Sequence, residues 1–193
     1  TVHLGSPLPS ADALVAWLAF VDAFVERYGH VVDEWEVWNE PNLGHATSPF
    51  SAGQGSANHS TAFTYNSPQA YTELFIATAE TIRRRQPHST IMGFSLATID
   101  LYFLDQGLAV LQERNKLDLL DQVTYHPYAV NPDVCYPKVD RLRALIRQYA
   151  GRIAVRQGEN GISSATGPGT WDANKDADYS ERMQAKWDIR RML

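Results

Sequence analysis

The chain of 193 residues is 44% hydrophobic and 20% charged, which suits one soluble globular domain with a core of useful size. Its net charge of -5 argues against a nucleic-acid partner, since phosphate binding needs a basic face, and no apolar run approaches a membrane span. The single Cys135 cannot form an internal disulfide and has no thiol or histidine at zinc-ligand spacing, so no metal or other cofactor is expected; the compartment stays open.

Residues 1–10 suggest the tail of a strand and a loop with two prolines. From Ala11 to Tyr28 the positions Leu14, Trp17, Leu18, Val21, Phe24, Val25 and Tyr28 keep helical spacing, with Ser10 as the cap and Gly29 at the far end. Glu34 to Trp38 alternates apolar and polar residues and stops at Pro41, which predicts a short strand that delivers Asn39 and Glu40 at its carboxyl end. Leu43 to Asn66 is rich in Gly, Ser, Asn and His and lacks periodicity, the pattern of a long functional or disordered loop.

Ser67 and Pro68 open a second helix through Tyr71, Leu74, Phe75, Thr78 and Ile82, with the arginines at 83 to 85 favourable at its negative end. A strand at Ile91 to Ser95, a helix at Leu101 to Arg114 and a strand at Val123 to His126 follow. Val139 to Tyr149 is helical by its apolar spacing and ends at Gly151. The apolar strand from Ile153 leads to Glu159, flanked by Gly158 and Gly161, and a last helix runs on from Asp176 through Met183 and Trp187.

Regular alternation of helix and strand implies a parallel sheet with crossover helices. The steps from Met92 to Thr124 and from Thr124 to Val155 are 32 and 31 residues, a near-constant spacing that favours a (β/α) barrel over a doubly wound sheet. In a barrel the functional groups gather at the carboxyl ends of the strands, where Asn39, Glu40, His126, Tyr128 and Glu159 all fall. Burial beside Trp38 would favour the protonated form of Glu40, as a proton donor at neutral pH requires. Glu34 and Glu36 lie deeper along their strand and are expected to be solvated or paired with basic residues. His3, His30, His45, His59 and His88 show no two-histidine metal spacing and are assigned to loops or the surface, His3 alone having a chance to face the pocket.

Trp38-Asn39-Glu40-Pro41, His126-Pro127-Tyr128 and Gln157-Gly158-Glu159-Asn160-Gly161 together resemble the clan A glycoside hydrolases, in particular their beta-xylosidase-like families. The resemblance implies a (β/α)8 TIM barrel, here partial with about strands 3/4 to 7 present, and a retaining glycosidase acting on a beta-linked glycoside or oligosaccharide. It implies Glu40 as general acid/base and Glu159 as nucleophile, separated by 119 residues as in those families. By the same likeness Asn39 would bind the sugar 2-hydroxyl, Tyr128 would donate to Glu159, and His126 would line the sugar-binding floor. Trp171, in the loop after Glu159, is a candidate platform for a pyranose face or else a loop anchor.

Residues 1–193 are expected to form one partial catalytic domain, a fragment that begins at Thr1 and lacks the barrel's remaining strands, which a longer chain or a partner would supply. Two other readings remain open at the level of sequence. One is a carbohydrate-binding barrel or partial scaffold without activity, and the other a barrel enzyme that uses its carboxylates to abstract a proton or hold a metal.

Overall fold

The computed structural model describes residues 11–43, 67–129, 131–161 and 181–192. Within them the elements alternate as α1 (Ala11–Tyr28), β1 (Glu34–Glu36), α2 (Pro68–Arg85), β2 (Thr90–Ala97), α3 (Leu101–Glu113), β3 (Gln122–His126), α4 (Tyr136–Tyr149) and β4 (Ala154–Gln157), followed by α5 (Glu181–Met192). The strands form one parallel sheet in the order β1-β2-β3-β4. Parallel neighbours need a crossover between them, and α2, α3 and α4 are those crossovers. The mixed α/β fold with a parallel sheet therefore follows from the alternation seen in the sequence.

Each helix forms where its apolar residues recur on one face. Ser67 caps α2 by accepting from the Ala70 amide at 3.3 Å, and Asp100 caps α3 by accepting from Phe103 at 3.0 Å. The helices pack in sequence, α1 on α2, α2 on α3 and α3 on α4. Between them and the sheet lies a core in which Tyr71, Phe75, Ile91, Phe94, Phe103, Leu104, Leu108 and Leu120 are fully buried. The arginines that end α2 reach out from its negative end: Arg83 bonds Asp121 at 2.6 Å, and Arg85 forms a two-pronged pair with Asp22 at 2.7 and 2.6 Å. The other side of the sheet is polar and half-open, with Arg156 reaching Glu34 at 2.7 Å.

Several boundaries differ from the sequence reading. Regular β1 pairing ends at Glu36 rather than Trp38, because Trp38 takes a left-handed φ of 70° and turns the chain out of the sheet. β2 is longer than expected and contains a bulge: between Gly93 and Leu96 it holds one more residue than β3 does between Val123 and Tyr125. The bulged residues Phe94 and Ser95 carry φ values of 73° and 36°. Cys135, expected in a loop, is half-buried at the end of a 3-10 turn (Pro132–Cys135) that feeds α4, and burial pushes its thiol pKa up. Ser10, the segment from 44 to 66 and Trp171 lie outside the described residues, as do His3, His45 and His59.

Candidate active site

The strand ends that carry the motifs are held by specific contacts. Buried Tyr71 uses its hydroxyl twice, accepting from the bulged Phe94 amide at 2.6 Å and donating to the Val37 carbonyl at 3.1 Å. That oxygen ties the end of β1 to the bulge of β2. Burial pushes the Tyr71 pKa far up, so it remains a hydroxyl able to serve both partners. One residue further along, the Glu40 amide donates to the Ser95 carbonyl at 2.9 Å, fixing a residue whose own φ is 46°.

Beyond Pro41 the chain is clamped by Asn42, which is fully buried. Its side chain accepts from the Ala97 amide at 2.8 Å and donates to the Ala97 carbonyl at 3.0 Å, so an amide side chain continues the ladder where the backbone has left it. Asn42 and Ser95 were not singled out from sequence. For Asn42 the available signal was its place directly after Pro41, whose missing amide leaves a side chain to do the bonding.

His126 ends β3, buried at 0% exposure. Its Nδ1 lies 2.8 Å from Oε1 of Glu40 and 3.8 Å from Oε2 of Glu159, and its Nε2 lies 3.1 Å from the hydroxyl of buried Ser95. The ring has no exposed surface and stands behind the two carboxyl groups. Gly158 permits this packing, since a Cβ there would stand 3.1 Å from Nε2.

Glu40, His126 and Glu159 each bring one side-chain N or O atom within 4.8 Å of the other two. The carboxyl groups of Glu40 and Glu159, 119 residues apart in the chain, thus converge on one spot. These are also the described side chains able to share a cation, although Nδ1 of His126 is already hydrogen-bonded to Glu40. Glu40 is the more enclosed, at 19% side-chain exposure against 48% for Glu159. Tyr128 donates its hydroxyl to Oε2 of Glu159 at 2.9 Å. Burial first, then the Glu159 bond and the charges of Glu159 and Glu40, push the Tyr128 phenol up to about 12. It stays a donor at every pH where an ordinary enzyme works. Asn39, the residue before Glu40, is exposed.

The neighbouring acids are engaged elsewhere. Glu36 accepts from the Thr124 hydroxyl, and Glu34 pairs with Arg156. A cavity of about 660 Å³ lies at the opposite ends of the strands near Thr90, Gln122 and Ala154 and does not include the converging carboxyl groups. No described helix is long and apolar enough to cross a membrane.

No family model and no curated protein matches the chain. Solved structures do. A GH39 beta-xylosidase from Caulobacter crescentus is 24% identical with a TM-score of 0.59, covering 79% of this chain and 31% of its own. A family 39 glycoside hydrolase from Bacteroides cellulosilyticus WH2 is 19% identical with a TM-score of 0.62, covering 98% of this chain and 36% of its own. A family 44 endoglucanase from Clostridium thermocellum is 16% identical with a TM-score of 0.53, covering 75% and 40%. The chain spans about a third of the length of the family 39 structures. In fold, the chain is similar to part of the clan A glycoside hydrolases, the same group that its three strand-end motifs resemble.

Proposed function

We propose that the chain carries the catalytic carboxyl pair of a retaining glycoside hydrolase, with Glu159 as nucleophile and Glu40 as general acid/base. On this reading β1 to β4 are strands four to seven of a (β/α)8 barrel. The observation that carries it is the meeting of the two carboxyl groups, oxygens within 4.8 Å of each other, at two strand ends of one parallel sheet. Retaining enzymes hold their carboxyl groups about 5 to 5.5 Å apart, whereas inverting enzymes leave about 6.5 to 9.5 Å for a water molecule.

On the retaining assignment the reaction runs in two steps. Glu159, ionised and oriented by the Tyr128 hydroxyl, attacks the anomeric carbon while protonated Glu40 gives its proton to the departing glycosidic oxygen. The product is a glycosyl ester on Glu159, and Glu40 is left ionised. Glu40 then takes a proton from water as that water attacks the same carbon, and Glu159 leaves as carboxylate. Two inversions give net retention. Asn39, exposed and next to Glu40 in the chain, is assigned the bond to a sugar hydroxyl, and a beta-linked xyloside or glucoside is the substrate class that the family 39 likeness favours.

The test uses the full-length protein and aryl glycosides with azide. Glu159→Ala is expected to lose turnover, and azide should restore it in part as a glycosyl azide of inverted configuration. Glu40→Ala with azide should give the retained azide instead, because the glycosyl ester still forms. Unchanged turnover in Glu159→Ala would reject the assignment.

A further inference from the structure

We propose that Ser95 is a positioning residue for the acid/base carboxyl: its hydroxyl donates to Nε2 of His126, holds the buried ring as the Nδ1-H tautomer, and aims that N-H at Oε1 of Glu40. The consequence is that Oε2 becomes the oxygen of Glu40 that carries the transferable proton. The inference rests on Glu40 being the acid/base.

A neutral imidazole has one donor and one acceptor nitrogen, and the partner of one nitrogen sets the state of the other. Nδ1 faces carboxyl oxygens of both Glu40 and Glu159, at 2.8 and 3.8 Å. A lone pair there would be opposed by Glu159 while that group is a carboxylate and by Glu40 in the ionised half of its cycle, so the proton belongs on Nδ1. Nε2 must then accept, and the group within reach is the Ser95 hydroxyl at 3.1 Å. Both partners are 0% exposed, and a donor here keeps the ring nitrogen from being buried without a bond.

Ser95 reaches this place only because β2 bulges. The extra residue turns Phe94 toward Tyr71 and the helices and Ser95 toward His126. Every polar group of Ser95 is used: its amide donates to Thr124 Oγ1 at 3.1 Å, its carbonyl accepts from the Glu40 amide at 2.9 Å, and its hydroxyl meets His126. Ser95, His126 and Glu40 thus close a ring through side chains and backbone. With Oε1 of Glu40 occupied by an N-H, protonation falls on the other oxygen, so the donated proton has a fixed address.

Two measurements test it on the full-length protein. Nitrogen-15 NMR of labelled histidine should show His126 as the Nδ1-H tautomer in the native chain, and Ser95→Gly, a variant that suits a φ of 36° and removes the hydroxyl with its Cβ, should move the Nε2 resonance toward that of an unbonded acceptor nitrogen; an unmoved Nε2 resonance would overturn the role of the hydroxyl. An Nε2-H or doubly protonated ring in the native chain would overturn the proposal. In kinetics, Ser95→Gly should lose about tenfold in glycosylation with poor leaving groups and change little with dinitrophenyl glycosides, which need no acid, out of the roughly 100- to 10,000-fold that acid-base catalysis supplies. Equal loss with both substrates, or no loss, would also overturn it. A native protein that shows the Nδ1-H tautomer yet cleaves no glycoside would instead sink the glycosidase reading and, with it, the role given to Ser95.

Discussion

Replacing Tyr128 by Phe removes one hydroxyl from the site and separates the two halves of the proposed cycle. The hydroxyl lies 2.9 Å from Oε2 of Glu159 and serves that oxygen while it is negatively charged. In the glycosyl ester the charge is gone, so the bond is weak; as the ester breaks, the charge returns and the bond strengthens. An interaction stronger in the transition state than in the state before it accelerates that step. Tyr128 should therefore speed deglycosylation more than glycosylation, in which the bonded charge is already present at the start. A hydrogen bond to a charged group is worth about 1.5 to 3 kcal/mol, and water can replace part of it because Glu159 is 48% exposed. Taking the low end gives about a tenfold slower deglycosylation.

The assay is turnover of a dinitrophenyl glycoside, for which forming the ester is fast. In Tyr128→Phe, kcat should fall about tenfold, KM should fall with it, and a burst of released phenol should equal the enzyme present. The alkaline limb of the pH profile should not move. The phenol is pushed up to about 12, so it stays protonated through the working range and its ionisation cannot be what ends activity at lower pH. A loss in kcat/KM as large as that in kcat, or an unchanged kcat, would refute this account of Tyr128.

Thr124→Val keeps the shape of a buried residue but leaves the Ser95 amide without its acceptor and Glu36 without its donor; urea unfolding should show a loss of about 2 to 4 kcal/mol. Gly107→Ala would put a Cβ 2.4 Å from Cε1 of Phe94, against the side of the bulge, and should cost about 1 to 3 kcal/mol of overpacking in the same measurement.

The sequence carried the element order because each crossover helix is amphipathic enough to declare itself. In α2, Tyr71, Leu74, Phe75, Thr78 and Ile82 share one buried face, and the Ser67-Pro68 start needs no tertiary contact to be read. The 3-10 turn at Pro132–Cys135 had a signal in Asn131-Pro132-Asp133, where Asn131 accepts from the Asp133 amide at 2.9 Å. The bulge had none. Gly93-Phe94-Ser95-Leu96 looks like any apolar strand, and only the Tyr71 hydroxyl, the Thr124 hydroxyl and a neighbouring strand one residue shorter force φ positive at Phe94 and Ser95. The same reason hid Ser95. The two glutamates were visible because each sits at a predicted strand end; His126 was visible by position, while its burial depends on Gly158 and Ser95 folding against it.

Four carboxylates reach the polar side of one small sheet or its rim, and what distinguishes them is the donor each one meets. Glu34, deepest along the strand, faces the permanent cation of Arg156 at 2.7 Å. Glu36, next along β1, takes the Thr124 hydroxyl, a bond that fixes a side chain near Gly158 without adding charge. At the rim, Glu40 meets the imidazole of His126 and Glu159 meets the phenol of Tyr128. Neither of those donors forbids a change in the charge of its partner. A catalytic cycle in which one carboxyl gives and regains a proton, and the other forms and breaks an ester, needs partners of that second kind. On the proposed roles, His126→Arg would set a permanent cation beside Glu40 and deprive the leaving group of its acid. The donors thus change with depth, a guanidinium at the bottom and an imidazole and a phenol at the rim, which is the arrangement the proposed cycle requires.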